Sequence, residues 1–180
     1  MTDKSKGRLI LVGIVLFFAL PALVAQAVLS NHWYQSGATN TGELIEPRVT
    51  MSSLGVFNPL EQVSWQMAYV VPASCTADCQ QQIYLLAQSH TALGKEQHRV
   101  TPVLLVSAHS DTAALEGIAL QQIPVNTQFM QHIEAGDVLI VDPLGQLVMR
   151  FAEPEASQQI AQSRKVLADL RKLLKLSRVG

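Results

Sequence analysis

Cys75 and Cys79 are the only cysteines of the 180-residue chain, and they lie together in the stretch VVPASCTADCQQQ. Two thiols at this spacing can close a structural disulfide, work as a reversible dithiol, or present two soft thiolates to one soft ion such as Cu(I), with a third ligand arriving from elsewhere in the fold. Spacing sets a condition on the bond. Side chains at i and i+4 of a regular helix hold their Cβ atoms about 5 to 6 Å apart, whereas a disulfide needs roughly 3.5 to 4.5 Å. A bond therefore requires Cys75 to be drawn into the loop ahead of the helix. A cysteine at a helix mouth faces backbone N–H groups and the positive end of the macrodipole, which favours its thiolate. Asp78, between the pair, opposes a second negative charge. In a redox cycle Cys75, nearer the mouth, attacks and Cys79 resolves.

The histidines His32, His90, His98, His109 and His132 are the other donors to weigh. His132 precedes a predicted hairpin strand, in a loop expected to lie beside the helix mouth. It is the candidate third metal ligand or proton-transfer group. The remaining four read as solvated. The methionines form no cluster: Met67 and Met149 read as strand core, and Met51 and Met130 as structural. No G-x-S-x-G, P-loop, H-E-x-x-H or dinucleotide fingerprint occurs, so hydrolase, nucleotide and zincin chemistry has no support.

The elements that must position the pair follow from periodicity. WQMAYVV, aromatic and β-branched and ending at Pro72, predicts a buried strand. TADCQQQIYLLAQSHTALG has helical spacing up to a capping Gly94. RVTPVLLVSA predicts a second strand, and SDTAALEGIAL, opening on a capping Ser or Asp, a short helix. NTQFMQHI predicts a helical turn, DVLIV and QLVMRF a hairpin across the turn DPLG, and SQQIAQSRKVLADLRKLLKLSRVG an amphipathic last helix with Ile160, Leu167, Leu170 and Leu174 on its apolar face. This β-α-β, helix, hairpin, helix order is that of an α/β thioredoxin-like domain, with the cysteines at its first strand-to-helix junction.

Ahead of this domain, residues 1–8 form a basic tail carrying Lys4, Lys6 and Arg8, and residues 9–29 are apolar apart from Gln26. About 20 such residues span a bilayer, and basic residues ahead of the span keep the N-terminus in the cytoplasm. A single-pass anchor in a bacterial inner membrane follows, with the remainder of the chain periplasmic. ALVAQA offers an A-x-A cleavage pattern for the alternative, a signal peptide. Residues 30–60, rich in Gly, Asn, Ser, Thr and Pro, read as a periplasmic linker that becomes a short strand or hairpin, and 61–180 as the domain. A net charge of −1 gives no basic field for nucleic acid. In a periplasm cysteines can be oxidised, held reduced or metallated.

With the cysteine pair, the stretches GATNTGELIEP, WQMAYVVPASCTADCQQQIYLLAQ, GDVLIVDPLGQLVMRF and DLRKLLKLSRVG resemble the Sco family of cytochrome c oxidase assembly proteins. More closely, the chain resembles a proteobacterial group of membrane-anchored oxidase assembly proteins. The resemblance implies delivery of copper to the oxidase subunit bearing the dinuclear copper site, or reduction of that subunit's cysteines so that copper can enter. Cys75 and Cys79 match the motif cysteines. Thr76 and Gln80 stand where the Sco motif has prolines, Glu134 stands near the place of the Sco histidine with His132 just before it, and no proline precedes DVLIV. A reading from a different class is a non-catalytic scaffold with a structural disulfide.

Overall fold

The computed structural model describes residues 3–30 and 40–177. The chain divides into two compact units, residues 1–39 and 40–180. The first holds α1, Asp3–Ser30, with Pro21 inside it and with Leu11, Ile14, Phe17, Phe18 and Leu23 exposed. The side chains of Leu9, Ile10, Val28 and Leu29, within the expected span, lie outside the described residues, as do His32 and the linker over 31–39. Among the described residues no helix is long and apolar enough to cross a membrane.

The second unit is a mixed six-stranded sheet in the order β1-β6-β5-β2-β3-β4. Its strands are β1 (Glu43–Leu44), β2 (Trp65–Val70), β3 (Val100–Val106), β4 (Gln121–Pro124), β5 (Val138–Val141) and β6 (Leu147–Phe151). The central β2 runs parallel to β3 and antiparallel to β5. Its side chains obey the strand period of two. Trp65, Met67, Tyr69 and Val71 enter one core, and Ala68 and Val70 enter the other.

The first core is closed by α2 (Ala77–Ala92), through Cys79, Ile83 and Leu86, and by α4 (Gln159–Leu176), through Val166, Leu170 and Leu174. The face of α4 differs from the expected one at its start: Ile160 is 54% exposed, while Gln159 and Asp169 are buried. The second core is closed by α3 (Thr127–Met130), capped by the Asn126 side chain accepting from Phe129 N–H at 2.9 Å, and by Met51, Leu54 and Val56. Those last residues fall in the stretch expected to be linker, and the compact unit begins at Asn40.

Two elements depart from the sequence expectation. SDTAALEGIAL forms only a 3-10 turn over Ala113–Leu115. QQIP, which has no strand signal of its own, adds β4 as an edge beside β3. Gly94 adopts φ +61 as expected, but the helix before it ends at Ala92 and a 3-10 turn follows over Gly94–Arg99.

Candidate functional site

The strand β2 ends at Val70, and its continuation through Pro72 carries the chain from the end of this central strand to α2. Thr76 is the N-cap of that helix, with φ −73 and ψ −174, and its side chain makes no capping hydrogen bond. Cys75 therefore stands outside the helix and Cys79 in its first turn. This offset supplies what a disulfide at i,i+4 spacing needs. The two are disulfide-bonded with their Cα atoms 5.0 Å apart, inside the usual range for such bonds.

The two cysteines differ in burial. Cys79 is buried, 5% exposed, in the core with Val71, Tyr69 and Ile83, whereas Cys75 is half-buried and packs against the margin of that core. Cys75 is thus the more accessible residue of the pair.

The loop after β3 holds the junction in place. Ser110 Oγ donates to Val71 O at 2.6 Å, and Asp111 N–H donates to Pro72 O at 2.9 Å. Asp111 Oδ2 in turn accepts the Cys75 N–H at 3.1 Å, and its Oδ1 accepts the Ala114 N–H at 3.3 Å. Gln80 Nε2 donates to Ala114 O at 2.9 Å and approaches Cys75 Sγ at 3.8 Å. From the other side, Gln159 Nε2 donates to Asp78 O at 3.0 Å, fixing the first turn of α2 to the start of α4. Sequence reading identified the cysteines but missed Gln80, Asp111 and Ala114 as their neighbours. The one signal for Asp111 was its place in SDTAAL as a helix-start residue.

His132 lies elsewhere. It is exposed, and with Glu43, Ile45, Glu46, Ile133 and Arg150 it lines a recess of about 150 Å³ beside β1 and β6. Among the described residues no group of three or more His, Cys, Asp or Glu side chains could hold a metal ion. Cys75, Cys79 and His132 are thus not assembled as a ligand set, and the described residues do not form a complete copper site. Glu134, near the place of the Sco histidine, pairs instead with Arg150 at 3.2 Å.

Arg150 also neutralises Asp137, with Nε 2.7 Å from Oδ2 of that 1% exposed carboxylate. Burial pushes the Asp137 carboxyl up, against the Glu134 N–H and the Arg150 charge, which pull it down. Burial also pushes the Tyr69 phenol up, with the Glu153 carboxylate adding to the effect. No proline precedes β5: Asp137 stands next to it and Gly136 before that, at φ +89, with the Gly136 N–H donating to Val70 O at 2.8 Å. The cis peptide bond among the described residues is Glu46–Pro47, at the far end of β1.

A mixed sheet with helices on both faces and a disulfide at the first strand-to-helix junction defines a thioredoxin-like domain. Residues 65–177 match the family described as "Transmembrane-like, thioredoxin-like, C-terminal domain", and the chain belongs to that family. No curated protein matches the chain. Among solved structures it is similar to apo Sco1 from Thermus thermophilus, with a TM-score of 0.47 and 14% identity over 76% of this chain and 99% of that one. It is also similar to yeast Sco1 with copper bound, with a TM-score of 0.46 and 11% identity over 64% and 80% of the two chains. A putative thiol:disulfide interchange protein DsbE from Chlorobium tepidum matches with a TM-score of 0.45 and 11% identity over 73% and 99%.

Proposed function

We propose that this protein is a membrane-anchored thiol–disulfide exchange factor in which Cys75 attacks and Cys79 resolves. The observation that carries this reading is the asymmetry of the bond, with a half-buried Cys75 in the loop joined to a buried Cys79 in the first helical turn. In the reduced protein the Cys75 thiolate attacks a disulfide sulfur of the partner, forming a mixed disulfide and releasing one partner thiolate. The Cys79 thiolate then attacks Cys75 Sγ, closing the 75–79 bond and releasing the second. Two electrons pass to the partner, and a dithiol donor must later return them to the pair.

The partner in this proposal is the cytochrome c oxidase subunit that bears the dinuclear copper site, whose cysteines must be reduced before copper enters. Support comes from the resemblance of the four stretches quoted above. The proposed setting is the bacterial inner membrane, with the segment 9–29 as a single-pass anchor and the domain in the periplasm. The uncharged run over 9–29 and the basic residues ahead of it support that placement.

Copper delivery would use the same two sulfurs, with Cu(I) as cargo. Reduced Cys75 and Cys79 offer two soft donors, and in this version the third comes from the receiving subunit.

Trapping tests the exchange reading. Full-length Cys79→Ser in detergent, treated with oxidised glutathione, is expected to accumulate a mixed disulfide at Cys75. Cys75→Ser is expected to leave the buried Cys79 unmodified. Equal labelling of the two variants, or labelling of neither, would overturn the assignment of roles.

A further inference from the structure

A closed circuit of hydrogen bonds runs through the half-buried Cys75. Cys75 N–H donates to Asp111 Oδ2, Ala114 N–H donates to Asp111 Oδ1, Gln80 Nε2 donates to Ala114 O, and the same nitrogen faces Cys75 Sγ at 3.8 Å. A carboxamide nitrogen carries two N–H bonds. One is spent on the Ala114 carbonyl, and the geometry leaves the other for the sulfur. Because Ala114 is itself held by Asp111, and Asp111 by the end of β2, the Gln80 head group is fixed although its side chain is exposed.

We propose that Gln80 stabilises the Cys75 thiolate and so sets how readily Cys75 attacks and leaves. This rests on the exchange reading above and deepens it. A disulfide sulfur is a weak acceptor, so the contact contributes little in the oxidised form. On reduction a negative charge develops on Cys75 Sγ, and the same N–H becomes a charge-assisted donor. The need for such a donor is local. The Thr76 side chain caps nothing. The first turn of α2 carries the acidic Asp78, and the loop after β3 carries the acidic Asp111 and Glu116 and the titratable His109. Asp78 and Asp111, the carboxylates nearest Cys75, raise the energy of a thiolate there. Gln80 and the N–H groups of the first turn act in the opposite direction.

The experiment is the pH profile of iodoacetamide alkylation at Cys75 in the reduced full-length protein in detergent, read by mass spectrometry, for the wild type, Gln80→Leu and Gln80→Lys. Gln80→Leu removes the donor, and its profile is expected to move about one pH unit upward, a tenfold lower rate on the rising limb. Gln80→Lys keeps a donor and adds charge, so its midpoint is expected at or below that of the wild type. Coincident profiles for wild type and Gln80→Leu would overturn the proposal. So would equal upward shifts in the Leu and Lys variants, which would mean that Gln80 only holds the loop. Should Gln80→Leu fail to fold, Gln80→Met supplies the donor-free comparison with the same expectation. Failure of the exchange reading itself would appear in the trapping experiment, as absence of the Cys75 mixed disulfide, while the alkylation midpoint still reports on Gln80.

Discussion

Thr41 donates both its N–H, at 2.6 Å, and its hydroxyl, at 2.8 Å, to Asp169 Oδ2, joining residues 128 apart in the chain. The same oxygen accepts the Gly42 N–H at 3.0 Å, and Lys172 Nζ sits 2.9 Å from Oδ1. One buried carboxylate thus ties the segment that enters the domain to its last helix. Both partners belong to stretches of the sequence that carry the family resemblance, GATNTGELIEP and DLRKLLKLSRVG.

This clamp sets the first prediction. Asp169→Ala leaves four donors, the Thr41 N–H and hydroxyl, the Gly42 N–H and the Lys172 ammonium, without their carboxylate, so the domain should lose about 2 to 3 kcal/mol. Urea unfolding of the full-length protein followed by tryptophan fluorescence measures it. A loss below 0.5 kcal/mol, roughly what an ordinary surface change costs, would show that the clamp is not stabilising.

The pH dependence has a definite sign. Burial raises the Asp169 carboxyl, but the bonds from Lys172, Gly42 and Thr41 outweigh it and hold the group below its ordinary value. Its stabilisation is then complete above about pH 4 and is lost as pH falls through the lowered value. Asp169→Asn should flatten that acid limb of stability, as measured by thermal unfolding between pH 7 and pH 2.5. An unchanged acid limb would assign it to other carboxylates.

Gly42 has a steric reason to be glycine. A Cβ there would lie 2.5 Å from Phe151 Cζ and 2.6 Å from Met149 Cγ. Gly42→Ala should cost about 1 to 3 kcal/mol by overpacking the first core. Gly94→Ala, which meets no atom within 4 Å but must hold φ +61, should cost about 1 kcal/mol. Denaturant midpoints of the two variants check this order, and a Gly42→Ala variant as stable as the wild type would contradict it.

The sequence reading was sound where periodicity and burial coincide. Trp65 to Val71, the helix bearing Ile83 and Leu86, and the hairpin around DPLG all take the expected form. It failed where tertiary contacts override composition. Residues 40–60 are polar and rich in turn formers, yet Met51, Leu54 and Val56 fill the second core. No local pattern announces that. Gln121 to Pro124 has little β signal, because a short edge strand with exposed Gln residues and a terminal Pro124 is built to resist further pairing. At the site, the cysteines were visible from residue type and spacing. Gln80, Asp111 and Ala114 were not, because their relation to Cys75 exists only once the loop after β3 crosses the end of β2.

Copper supplies a further prediction. His132 shares its recess with Glu43, Glu46 and Arg150 and does not join Cys75 and Cys79 in a ligand set. In the reduced full-length protein, any thiol-dependent Cu(I) should therefore vanish in Cys75→Ser and be unaffected by His132→Ala. Copper titration against a colorimetric Cu(I) chelator reads both. A tenfold or greater loss of affinity in His132→Ala would contradict the placement of His132 outside the site.

The central claim is that Cys75 and Cys79 form a working, reversible bond. Its most direct measurement is the reduction potential of the full-length protein, equilibrated in glutathione or dithiothreitol buffers, with circular dichroism of both forms. The account predicts a potential within the range of working pairs, about −120 to −270 mV, and a reduced protein that keeps its fold. A potential below about −300 mV, together with loss of the fold on reduction, would identify the bond as a structural staple and contradict the account.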